Sequence, residues 1–87
     1  MDVQAQIRRL GWRSKRGLLE LELILLPFAE SCLVRLTTLE LTQYAALLEH
    51  DDLDLYDWLR GLGSDSDKRD KSLQPIVDCI RQYHNHL

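Results

Sequence analysis

The run Leu18-Leu19-Glu20-Leu21-Glu22-Leu23-Ile24-Leu25-Leu26-Pro27-Phe28 limits what this chain can fold into more than any other stretch. It is too apolar to lie open in water, so a core must form around it. Its segment Leu19 to Leu23 alternates as a half-buried strand would, but the alternation fails at Ile24-Leu25-Leu26. A helical template accounts for more of it. At ~100° per residue, Arg16, Glu20, Pro27 and Ser31 fall in a sector about 60° wide, while Leu18, Leu21, Leu25 and Phe28 share another. The stretch therefore reads as a mostly buried helix with one narrow polar stripe. Pro27 cannot donate to the carbonyl of Leu23 and is expected to bend the helix or loosen its last turn.

The rest of the chain reads as helix too. Asp2 is suited to cap a first helix from Val3 to Leu10, with Gly11 near its end. Thr37 and Glu40 have the spacing of a capping box for a third helix reaching about Glu49, with Leu41, Tyr44, Ala45 and Leu48 inward. Asp51 or Asp52 caps a short fourth helix. Asp54 suits its positive end, Leu55, Trp58, Leu59 and Leu62 form its inner face, and Gly61 and Gly63 stop it. Trp58 is expected to pack against the helix of Leu18 to Phe28. Ser64 to Asp70 reads as a polar linker. A fifth helix follows, with Leu73, Ile76, Val77 and Ile80 inward and Pro75 in its first turn, where proline is tolerated. No strand survives this reading, which gives an all-α fold: one small domain over residues 1–87, a bundle of about five helices.

A chain of 87 residues has a thin core, and a cleft enclosing a large cofactor would consume most of it. That favours a binding module over a self-sufficient enzyme. The basic N-terminus has no apolar run before Trp12, so no secretory signal is expected, and Glu20, Glu22 and Glu30 interrupt the longest apolar stretch before it could cross a bilayer. Cys32 and Cys79 lie far apart in apolar segments and read as two buried free thiols in a reducing compartment, a disulfide or redox pair being the alternative.

Charge is unevenly placed. Residues 1–17 carry +4, residues 18–67 carry −9 and residues 68–87 carry +2, which gives the net −3. The basic start, Arg8, Arg9, Arg13, Lys15 and Arg16 around Trp12, has the look of a nucleic-acid patch, but overall acidity opposes a broad phosphate footprint. A solvated helix face, or a patch for an acidic protein surface, suits it better. Asp51, Asp52, Asp54 and Asp57 suggest a calcium loop, yet the glycine and glutamate such a loop needs are missing, and helix capping accounts for them. His50, His84 and His86 could meet at a metal only if the tail folded back. No nucleophile elbow and no glycine-rich phosphate loop is present. The residues point to no active site, no bound cofactor and no metal.

Lys15-Arg16-Gly17 and Glu20 remain. A purely structural reading makes Gly17 a flexible start to the helix and pairs Arg16 weakly with Glu20 one turn on. A functional reading notes that glycine leaves bare backbone between a cation and an anion, a spot that a partner could approach closely in fixed register. The pattern R-G-x-x-E, as Arg16-Gly17-Leu18-Leu19-Glu20, with Leu21-Glu22 and Pro27-Phe28 after it, resembles the SdhE family. These are the succinate dehydrogenase flavinylation, or FAD assembly, factors, some also labelled YgfY or CptB. Leu47-Leu48-Glu49 and Asp51 to Leu59 are similar to that family's second signature, L-L-x-x-x-D-x-D-L-x-x-W-L. The match covers roughly Trp12 to Gly63. Lys15 stands where an arginine is common, and Glu22 where an aspartate is common.

The resemblance implies a monomeric, cytoplasmic, five-helix assembly factor, not an enzyme. It implies binding to the flavoprotein subunit of succinate dehydrogenase, and of fumarate reductase in some cases, and promotion of covalent FAD attachment to a histidine of that subunit. The motif carries over to Arg16, Gly17 and Glu20 as the contact surface, with Lys15, Glu22, Asp52 and Asp54 as further candidates. Two rivals stand beside it: the antitoxin of a membrane-associated toxin, and a small RNA-binding helical module using the basic start.

Overall fold

The computed structural model describes residues 2–62 and 69–85, so Gly63, most of the expected linker and His86 lie outside the described residues. Five α-helices follow one another: α1 (Val3–Arg13), α2 (Leu19–Cys32), α3 (Thr38–Leu47), α4 (Asp52–Arg60) and α5 (Gln74–Asn85). Single 3-10 turns at Leu33–Arg35 and Lys71–Leu73 lead out of α2 and into α5. No strand occurs among the described residues.

Local chemistry sets most of these boundaries. Asp2 accepts from the Gln4 N–H and starts α1. Thr37 and Glu40 form a reciprocal capping box: the Thr37 N–H donates to Glu40 Oε1 at 2.9 Å and the Glu40 N–H to Thr37 Oγ1 at 3.1 Å. Asp51 accepts from the Leu53 N–H, so it and not Asp52 caps α4. Asp70 accepts from the N–H and hydroxyl of Ser72, which hold its carboxyl below the usual range. Gly61 ends α4 at φ 70°. The N–H of Leu62 reaches Asp57 O at 2.8 Å and that of Gly61 reaches Trp58 O at 3.1 Å, the paired closure of a Schellman cap.

The core is one cluster built around α2. Leu21, Ile24, Leu25, Phe28 and Ala29 meet Leu41, Tyr44, Leu47 and Leu48 of the α3 segment, Leu55, Trp58 and Leu59 of α4, and Leu73, Ile76, Val77 and Ile80 of the α5 segment. Phe28 meets Tyr44 at a tilt and Tyr83 edge-on, ring centroids 5.7 and 5.9 Å apart. One polar contact is sealed inside. Ser14 is fully buried and donates to Leu10 O at 2.8 Å, so the Tyr44 hydroxyl, 2.6 Å away, donates to Ser14 Oγ. Burial pushes the Tyr44 hydroxyl up to about 12.

Several expectations are corrected. The first helix runs through Gly11 to Arg13, and Ser14 closes it by bonding back to Leu10. The second begins only at Leu19, so Arg16 and Gly17 stand in the loop before it, and it continues through Pro27 to Cys32. The third stops at Leu47, short of Glu49. Leu62 is 51% exposed, because the left-handed Gly61 turns the chain out of the helical phase that would have placed it inward. Trp58 does join the buried cluster of Leu21, Ile24, Leu25 and Phe28 on α2, as expected; its N–H also donates to Gln74 Oε1 at 3.0 Å, and its ring meets His50 edge-on and the Arg69 guanidinium. Cys32 and Cys79 are half-buried free thiols, and burial raises both.

Candidate functional site

The loop between α1 and α2 is tied down by its arginines. Arg13 Nη2 bonds Glu49 Oε1 at 2.8 Å, an exposed pair worth little by itself. Arg16 is held more firmly. Its Nε donates to Asp52 Oδ1 at 2.7 Å, its Nη1 to Leu48 O at 2.9 Å and its Nη2 to His50 O at 2.9 Å. The guanidinium thus caps the C-terminal carbonyls of the α3 segment and meets the first residue of α4 with a single fork. Its side chain is only 16% exposed. The expected pairing of Arg16 with Glu20 is therefore corrected: Glu20 lies on α2, and Arg16 sits outside that helix, turned toward the α3–α4 junction.

Gly17 follows on this anchored loop and is exposed. A Cβ placed on it meets nothing nearer than Asp52 Oδ2, at 3.9 Å, and its φ is not in the left-handed region, where Gly61 alone is found among the described residues. The fold leaves room for a side chain at position 17 and does not need glycine there. Glu20 is exposed on the first turn of α2. Lys15 is exposed, its Nζ 4.1 Å from the centroid of the Trp12 ring. Glu22 is half-buried on α2, and Asp54 is exposed in the first turn of α4. Asp52 is engaged with Arg16 and half-buried. The structure thus brings Arg16, Gly17 and Asp52 together.

The residues that sequence reasoning missed are apolar. Leu19 and Leu23 are 66% and 61% exposed on α2, flanking Glu20, and Leu53, next to Asp52, is 63% exposed. The polar stripe expected on α2 is in fact a mixed face of leucine and glutamate. Alongside it, Glu20, Leu23, Ile24, Tyr56, Arg60 and His84 line an open groove between α2, α4 and α5. Of the five basic side chains at the start, Arg13, Lys15 and Arg16 are committed to intramolecular contacts, which leaves Arg8 and Arg9 of that group on the exposed side of α1. Among the described residues, no group of His, Cys, Asp and Glu is placed to hold a metal, and no helix is long and apolar enough to cross a membrane.

A family described as the flavinator of succinate dehydrogenase, Sdh5, matches residues 8–84, from the middle of α1 to the last turn of α5. The chain belongs to this family. Among its relatives, the FAD assembly factor SdhE of Vibrio cholerae serotype O1 is 45% identical over 63 residues, 72% of this chain and 73% of the relative. The FAD assembly factor SdhE of Photobacterium profundum is 38% identical over 77 residues, 88% of this chain and 84% of the relative. That of Pseudomonas aeruginosa is 32% identical over 83 residues, 93% of this chain and 98% of the relative.

Proposed function

We propose that this chain is an assembly factor that binds the flavoprotein subunit of succinate dehydrogenase and promotes covalent attachment of FAD to that subunit. The fumarate reductase flavoprotein is a second partner of the same chemistry. The accepting histidine and the flavin chemistry belong to the partner. This chain acts by binding: it favours the partner conformation in which the partner's own groups complete the attachment.

The observation that carries this reading is Gly17. The fold tolerates a side chain there, so glycine answers to something outside the fold. Arg16 fixes the loop that presents it, and Leu19, Glu20 and Leu23 extend the same face with apolar area and one charge. A partner backbone can approach Gly17 closely, while Glu20 sets register. Lys15, Glu22 and Asp54 border this surface as weaker contributors, and Asp52 serves it by holding Arg16.

The test is deletion of the gene followed by in-gel flavin fluorescence of the succinate dehydrogenase flavoprotein. Restoring the parent chain should restore the fluorescent band. Gly17→Arg should lose at most ~1 kcal/mol of stability, because its side chain has open space, and should leave the band absent. Glu20→Ala should likewise melt near the parent temperature and weaken the band. Full fluorescence with both variants would overturn the reading.

A further inference from the structure

We infer that the groove beside Glu20 runs into a carboxylate-binding pocket formed by Arg60, Arg81 and His84, which receives an acidic side chain of the flavoprotein. This rests on the docking reading above and names the chemistry of a second contact. The pocket has a volume of about 260 Å³, and Ile24, Leu59 and Asn85 complete its lining.

Neither Arg60 nor Arg81 forms an ion pair among the described residues, where Arg13–Glu49 and Arg16–Asp52 are the salt bridges present. The Arg60 guanidinium makes a loose contact with the Tyr56 ring, 5.9 Å from the centroid. Arg81 rests over Gly61: its Nη2 lies 3.0 Å from where a Cβ would be, so the bare left-handed glycine makes room for the guanidinium. His84 Nδ1 is buried and has no hydrogen-bond partner among the described residues. Acids border these groups without an ion pair to them among the described residues. Asp78 accepts from Gln74 Nε2 at 2.8 Å, and Glu20 stands in the neighbouring groove.

A plainer account would have these residues compensate the negative ends of α4 and α5. Arg60 and His84 do sit in the last turns of those helices, but that interaction acts through the field and uses up no donor. No hydrogen bond from Arg60, Arg81 or His84 to a carbonyl is present among the described residues. Two guanidiniums sharing one concavity repel one another unless an anion joins them, and a planar carboxylate matches the guanidinium fork. The position of the pocket selects the source. Ile24, Arg60 and His84 line both this pocket and the groove of Glu20, Leu23 and Tyr56, so the pocket opens onto the face assigned to the partner.

The test is binding of the purified chain to the purified succinate dehydrogenase flavoprotein, by titration calorimetry at two salt concentrations. The parent chain should bind, and more weakly at high salt. The Arg60→Gln, Arg81→Gln double variant should keep the parent melt and bind roughly tenfold more weakly, with a shallower salt dependence. If the double variant melts early, Arg60→Gln alone, on an exposed residue, is used and should show a smaller loss of the same kind. Parent-like affinity and salt dependence in the variant overturn the pocket and leave the docking reading standing. Failure of the parent chain to bind overturns both. Succinate alone shifting the His84 ring resonances of the free chain, while the variant binds the flavoprotein as the parent does, assigns the pocket to a small dicarboxylate and overturns the partner contact.

Discussion

Arg16 shows how one side chain can serve a site without belonging to its open surface. Three of its donors are spent on Asp52, Leu48 and His50, with little exposure left. Arg16→Ala strands the two carbonyls and the carboxylate, and should cost about 2–3 kcal/mol in denaturant unfolding, well beyond Gly17→Arg. Loss of flavinylation in the Arg16 variant would then follow partly from loss of the loop's position, whereas loss in the Gly17 variant would follow from the surface alone. The sequence pointed to both residues but gave Arg16 the wrong partner. Helical spacing offered Glu20 four residues on, and nothing local marks an acid 36 residues away. The exposed Leu19 and Leu23 were hidden for a different reason. In a helix with leucine on every side, periodicity cannot tell which leucines lack a neighbour.

At the level of elements, the starts of helices were legible and their ends less so. Asp2, Thr37 with Glu40, and Asp51 cap through side chains that the sequence displays, and each caps where expected. Ends depend on what the chain meets next. Ser14 extends α1 past Gly11 by bonding back to Leu10, and the α3 segment stops early where Arg16 takes its carbonyls. The end of α4 is the exception that combines both. Gly61 was read as a stop from sequence alone, and it is one because its φ of 70° reverses the chain. Gly61→Ala should destabilise by about 1–2 kcal/mol, through the left-handed backbone and the Arg81 guanidinium 3.0 Å from the new methyl, measured as a lower melting temperature by circular dichroism. Gly11→Ala, in a helix with open space around it, should stabilise by up to about 1 kcal/mol in the same assay.

Taken whole, the molecule is an apolar cluster sealed around one buried hydroxyl pair, and this gives it an alkaline weakness. Tyr44 holds its proton to about 12 when folded against 10.0 in the ordinary case, chiefly because burial penalises the phenolate. The unfolded chain releases that proton first. Stability from the neutral, buried hydroxyl is therefore complete below pH 10 and is lost as pH climbs toward about 12. Cys32 and Cys79, raised from 9.0 by burial, act in the same direction from a lower pH. Thermal melts across this range should show a falling midpoint, and Tyr44→Phe, which costs about 1 kcal/mol near neutrality by leaving Ser14 without its donor, should flatten the upper part of that fall. The two arginine ties also bear on the order in which the molecule assembles. Arg13–Glu49 and Arg16–Asp52 each join residues 36 apart in the chain. Closing a loop of that length costs entropy before any bond rewards it, so neither tie can form until the first three helices have come together. Arg16→Lys should accordingly speed unfolding in stopped-flow measurements and leave the refolding rate nearly unchanged. The loop bearing Gly17 is therefore set only once the first three helices have packed, and a chain that displays it to a partner has that part of the fold already in place.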